Sequence, residues 1–113
     1  MAASPGCIVV VAGAAGASTV AYIRGELDAP VGKPYEKVVR ASEDAIGQLE
    51  FSRIRTAKDA LTADIVARTA EDRKVEVIVH KETDATTTVK IRVGVFGDEQ
   101  ISRALLENIQ ANL

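Results

Sequence analysis

One thiol and one imidazole make up the reactive inventory of this sequence: Cys7 and His80. A thiolate is a nucleophile and an acyl acceptor, while an imidazole exchanges protons near neutral pH. General-base work at His80 would need a nucleophile and an orienting partner converging on it. The sequence places Lys81 and Glu82 beside it and no recognisable triad elsewhere, so a solvated strand histidine is expected. Structural zinc takes several Cys or His ligands, and here there is one of each, far apart. The carboxylates are scattered, without the dense oxygen-ligand spacing of a calcium loop. The expectation is a chain without catalytic group, metal or cofactor.

Three further features could bind rather than react. Ala12-Gly13-Ala14-Ala15-Gly16-Ala17-Ser18-Thr19 has the glycines of a phosphate-cradling loop but no following Lys-Ser/Thr pair, which favours a spacer. Arg53, Arg55 and Lys58 form a small basic cluster suited to anionic headgroups, but Glu50 and Asp59 flank it and favour a solvated turn. Phe96, bracketed by Gly94 and Gly97, is a candidate partner contact because the glycines let the backbone bend there. The competing expectation, and the favoured one, is that Phe96 plugs the end of the core while Asp98 caps a helix.

Composition narrows the classes. A chain of 113 residues supports one domain with a modest core. The aromatic side chains are Tyr22, Tyr35, Phe51 and Phe96, so that core must be aliphatic. Net charge is −2 with Lys and Arg dispersed among Asp and Glu, which argues against nucleic acid as a partner. One cysteine forms no internal disulfide.

The first charge in the chain is Arg24. Ahead of it, Gly6-Cys7 followed by Ile8-Val9-Val10-Val11 and the Ala/Gly tract has the look of a lipid-attachment cysteine with a spacer behind it. Six residues precede Cys7, with no Lys or Arg and no apolar core, so the expectation is that the signal begins upstream or has been removed. A plain leader with a free thiol is the second reading. A membrane span is the third, weakened by the Gly, Ala and Ser content. Residues 1–19 are therefore assigned to a leader or post-anchor spacer, and 20–113 to one folded domain.

Periodicity places the elements. Val20 to Pro30 alternates and reads as one strand, with Ala21, Ile23, Leu27 and Ala29 facing inward. Pro34 opens a helix whose apolar stripe is Tyr35, Val38, Val39, Ser42, Ala45, Ile46 and Leu49. Strands are expected at Phe51 to Thr56, from Leu61 to Arg68, from Lys74 to His80, and from Thr86 to Val95, joined by short polar turns. Gly97 ends the last strand, and Asp98 caps a closing helix lined by Ile101, Ala104, Leu105, Ile109 and Leu113. The order strand, helix, four strands, helix predicts a two-layer α+β sandwich, with both helices on one face of an antiparallel sheet. The open face then carries Thr62, Asp64, Arg68, Lys74, Glu76, Thr86, Thr88, Lys90 and Arg92.

Several segments in order resemble a family of small, uncharacterised bacterial lipoproteins, the domain-of-unknown-function family 3568. They are Gly6-Cys7 with its tract, Ala21-Tyr22-Ile23-Arg24-Gly25-Glu26-Leu27, Asp59-Ala60-Leu61 with Ile65-Val66-Ala67-Arg68-Thr69, and Ile91-Arg92-Val93-Gly94-Val95-Phe96-Gly97-Asp98-Glu99. The resemblance implies a bacterial cell-envelope address and a lipidated Cys7, and it brings no activity. The expected role is non-enzymatic: a protein-docking or structural module held at a membrane by its anchor, with an envelope protein as partner. The alternative is a small-molecule or lipid-binding module using a helix–sheet cleft, suggested by Ala41, Ala45, Ala63 and Ala67. An exposed edge strand could also pair two copies.

Overall fold

Arg24 and Gly25 both take positive φ, 55° and 83°, and fold the first predicted strand back on itself. The computed structural model describes residues 20–113. In it, β1 (Ala21–Ile23) and β2 (Glu26–Val31) form a tight hairpin rather than one strand through Pro30. Two consecutive left-handed residues match the twist of a two-residue hairpin loop. The reversal also changes the inward face. Tyr22 pairs with Leu27 and leans on the core, whereas Ile23 pairs with Glu26 and stands exposed.

The remaining order follows the expected pattern: α1 (Tyr35–Gln48), β3 (Ser52–Lys58), β4 (Thr62–Arg68), β5 (Lys74–Lys81), β6 (Thr87–Val93) and α2 (Glu99–Ala111). The strands form one antiparallel sheet in the order β1-β2-β6-β5-β4-β3. Strands β3 to β6 are a meander. β2 pairs with β6, so α1 carries the chain over the sheet to its far edge. α1 covers β3, β4 and β5, while α2 covers β6 and β2 and packs beside α1. The result is the two-layer α+β sandwich that the apolar stripes demand.

The core between the layers is aliphatic. Leu27, Val38, Ile46, Ile65, Val75, Val77, Val79, Val89, Ile91, Leu105 and Ile109 are fully buried. Ala41, Ala45, Ala63 and Ala67 are buried among them, as small residues that let helix and sheet approach closely. On α2 the buried face is Ser102, Leu105, Leu106 and Ile109, so Leu106 replaces the predicted Ala104. The helix ends are fastened by two reciprocal amide hydrogen bonds between Gln48 and Asn112, of 3.0 and 2.9 Å.

α1 stops in a Schellman arrangement. Phe51 N–H donates to the Ile46 carbonyl and Glu50 N–H to the Gly47 carbonyl, with Glu50 at φ 62°. The edge strand β3 then carries a bulge at Ile54, which resolves the conflict between Phe51 and Ile54 over its register. Arg53, Arg55 and Lys58 lie on this strand rather than in a turn. They pair with Glu43, Asp64 and Glu36 at 3.2, 3.7 and 2.7 Å. The turn itself is Asp59 to Leu61, where the Asp59 carboxylate accepts from the Leu61 and Thr62 N–H groups.

The β6 strand ends at Val93, two residues earlier than its alternation suggests. Gly94 at φ 73° turns the chain out of the sheet, and the Gly94 N–H donates to the Lys74 carbonyl at 2.8 Å. Val95 leaves the apolar row and is exposed.

Candidate functional site

At the end of the sheet where β6 gives way to α2, a cleft of about 670 Å³ opens on the uncovered face. Cross-strand register builds its floor. Arg68 on β4 stands opposite Lys74 on β5, and Glu76 on β5 stands opposite Arg92 on β6. The β4–β5 turn contributes Asp72 and Arg73, and the loop from Gly94 to Gly97 forms one wall. Four cations thus outnumber the carboxylates of Asp72 and Glu76 in the lining.

Phe96 lies on this wall, 94% exposed, with Val95 at 84%. It does not plug the core. Its backbone, by contrast, is pinned. A Cβ on Gly25 would stand 2.8 Å from the Phe96 carbonyl oxygen, and one on Gly97 would stand 2.6 Å from the Tyr22 hydroxyl. Gly97 takes φ 84°. Only residues without a side chain allow the β1–β2 turn and this loop to touch. The same packing leaves the Phe96 ring nothing to cover it.

The cations are not equivalent. Arg73 is held at 2.6 Å by Asp98, which also caps α2 by accepting from the Ile101 N–H. Those two interactions keep the Asp98 carboxyl below the usual carboxylate range. Arg68 leans on Asp72 at 3.5 Å. Lys74 and Arg92 have no carboxylate within ion-pair distance among the described residues. Arg92 donates instead to the Arg24 carbonyl at 3.1 Å.

Glu76 is the unusual acid. A hydrogen bond with Asp64, two residues along the neighbouring strand from the Val66 that Glu76 directly faces, and partial burial both push its carboxyl above the ordinary range. Asp64 Oδ1 is buried and has no donor among the described residues.

Of the other predicted features, His80 lies on the open face as expected, exposed, with Nδ1 2.9 Å from the Thr62 hydroxyl. No hydrogen bond among the described residues orients its other nitrogen. Cys7 and the Ala/Gly tract lie outside the described residues, as does nearly all of the stretch considered for a span. Among the described residues, no helix is long and apolar enough to cross a membrane, and no three His, Cys, Asp or Glu side chains could hold a metal together.

The sequence singles out Phe96, with a core plug as the favoured account, and gives no sign of the cleft. Arg68, Lys74, Glu76 and Arg92 could be assigned to the open face by alternation. Their gathering at one end depends on strand order and register, which alternation does not specify.

Among curated proteins, none is matched by this sequence. The family model described as a protein of unknown function (DUF3568) matches residues 1–112, and the chain belongs to that family.

Proposed function

We propose that this chain is a non-enzymatic docking module of the bacterial cell envelope, tethered through Cys7, with the Phe96 corner as its contact surface. The observation that carries the docking role is Phe96 itself. An aromatic ring left 94% exposed on a backbone pinned by glycines is poor economy for folding but well suited to a partner. Gly6-Cys7 and the uncharged tract behind it support the tether. The exposed, singly hydrogen-bonded His80 supports a role without catalysis.

The test uses the natural gene with its own start. Fatty-acid labelling and membrane fractionation compare wild type with Cys7→Ser, and co-purification from native membranes compares wild type with Phe96→Ser. Label that disappears with Cys7, and a stoichiometric partner that disappears with Phe96, are the expected results. An unlabelled protein removes the tether. A partnerless monomer removes the docking role.

A further inference from the structure

Phe96 and Val95 stand exposed on the loop that leaves β6, the third strand of the sheet. The β1–β2 turn lies on one side of that strand and the β4–β5 turn on the other, both at the end of the sheet where Phe96 stands. Each turn joins the strands one and two places from β6, so the two midpoints sit about 7 Å to either side of it. Their tips differ in sign: Arg24 is exposed on the first turn and Glu71 on the second. Asp72 pairs with Arg68 and Arg73 with Asp98, whereas Arg24 and Glu71 have no ion-pair partner among the described residues.

We propose that the partner at the Phe96 corner is a second copy of this chain, related to the first by a two-fold axis that runs along β6 through the Phe96 loop. The axis brings Phe96 and Val95 of both copies together at the centre. Because the two turns are equidistant from it, Arg24 of one copy falls on Glu71 of the other. The symmetry of such a contact repeats that pair on the opposite side. The proposal rests on the docking role above and names the partner. It is independent of the tether.

The mixed signs select a copy over a partner of uniform charge. On the cleft floor Arg92 stands between Glu76 and Glu26 in the ladder, so the cleft itself exerts little pull on an anion. An acidic segment or a plane of anionic headgroups would meet Glu71, and a basic surface would meet Arg24. The fitting partner presents a carboxylate opposite Arg24 and a cation opposite Glu71, about an apolar centre. This chain carries that pattern itself. The contact between Gly25 and the Phe96–Gly97 backbone holds the Arg24 turn and the ring as one unit, so the spacing is fixed before the copies meet. Two exposed apolar side chains per copy make a weak contact, which is read at high protein concentration and low salt.

The experiment is sedimentation velocity of the full chain carrying Cys7→Ser, which keeps lipid and intermolecular disulfides out, over a wide concentration range in low salt. A dimer should form as concentration rises, and Phe96→Ser should weaken it at least about tenfold. Arg24→Glu sets a carboxylate against Glu71, and Glu71→Arg sets a guanidinium against Arg24. Each alone should weaken the pair at least about fivefold, with the thermal midpoint of the chain unchanged. Mixed in equal amounts, the two variants should pair with each other as tightly as wild type, because opposite charges then meet at both turns. A chain that stays monomeric throughout, a dimer indifferent to Phe96→Ser, or a mixture no tighter than its components would each overturn the proposal. Should a different protein co-purify through Phe96 with a chain that sediments as a monomer, the docking role stands and the self-pairing falls.

Discussion

Gly25 and Gly97 meet backbone to backbone, the first in the β1–β2 turn and the second in the loop that leads into α2. A side chain on Gly97 would run into the Gly25 Cα and the Tyr22 hydroxyl. This contact locks the edge hairpin to the entrance of the last helix, and it presents Phe96 as a consequence.

Gly94 and Gly97 separate two uses of positive φ. Gly94 at 73° has open space where a Cβ would go, whereas Gly97 at 84° has none. Gly94→Ala should cost about 1 kcal/mol from backbone conformation alone. Gly97→Ala should cost more than about 2 kcal/mol, because overlap is added to strain. Urea denaturation of both variants checks the difference, and equal losses would mean that the loop relaxes freely away from Gly25.

The end of α1 holds a correctable imperfection. Glu50 occupies the left-handed position of the Schellman motif, where glycine carries no steric penalty. Glu50→Gly should therefore stabilise the fold by about 0.5–1 kcal/mol, the balance of relieved strain and a looser unfolded chain. Thermal unfolding gives the sign. A lower midpoint would show that the unfolded-chain entropy wins.

Two buried serines on the helices predict opposite responses. Ser42 Oγ donates to the Val38 carbonyl at 2.8 Å, while Ser102 Oγ is buried with no partner among the described residues. Ser102→Ala should be neutral or stabilising by up to about 1 kcal/mol, since an unsatisfied hydroxyl leaves the core. Ser42→Ala should be neutral or mildly destabilising. Denaturation midpoints of the two variants, compared with wild type, decide.

Glu76 sets the sign of one pH dependence. Its carboxyl is raised from the ordinary 4.5 by the Asp64 hydrogen bond and by burial. The folded state therefore binds this proton more tightly than the unfolded state, so stability falls as pH rises from about the unfolded value through the folded one. Glu76→Gln keeps a donor for Asp64 at every pH and should remove that loss. Stability measured across the acid range should show wild type converging on the variant at low pH and falling below it toward neutral. Parallel curves would mean that Asp64 and Glu76 do not share a proton.

Much of the architecture was legible before any coordinates. The 3.6-residue stripes of both helices, the alternation of Ala63-Ile65-Ala67 and Val75-Val77-Val79, and the Asp98 cap are local patterns, and local patterns are read directly from residue order. They also fix the layering, because two one-sided helices and a one-sided sheet bury their apolar faces only against each other. What stayed hidden depended on which residues come together. Arg24-Gly25 alternates as well as any strand interior, and only the pairing of Tyr22 with Leu27 reveals a turn there. Phe96 reads as a core plug because aromatic residues near strand ends usually are. It is exposed because Gly97 is held against Gly25, a contact between positions far apart in the chain. The cleft has the same origin. Arg68, Lys74 and Arg92 are each unremarkable polar positions until strand order and register set them side by side. Side-chain type and period determined the elements and their buried faces. Tertiary pairing alone decided which charges meet and which ring is left in water.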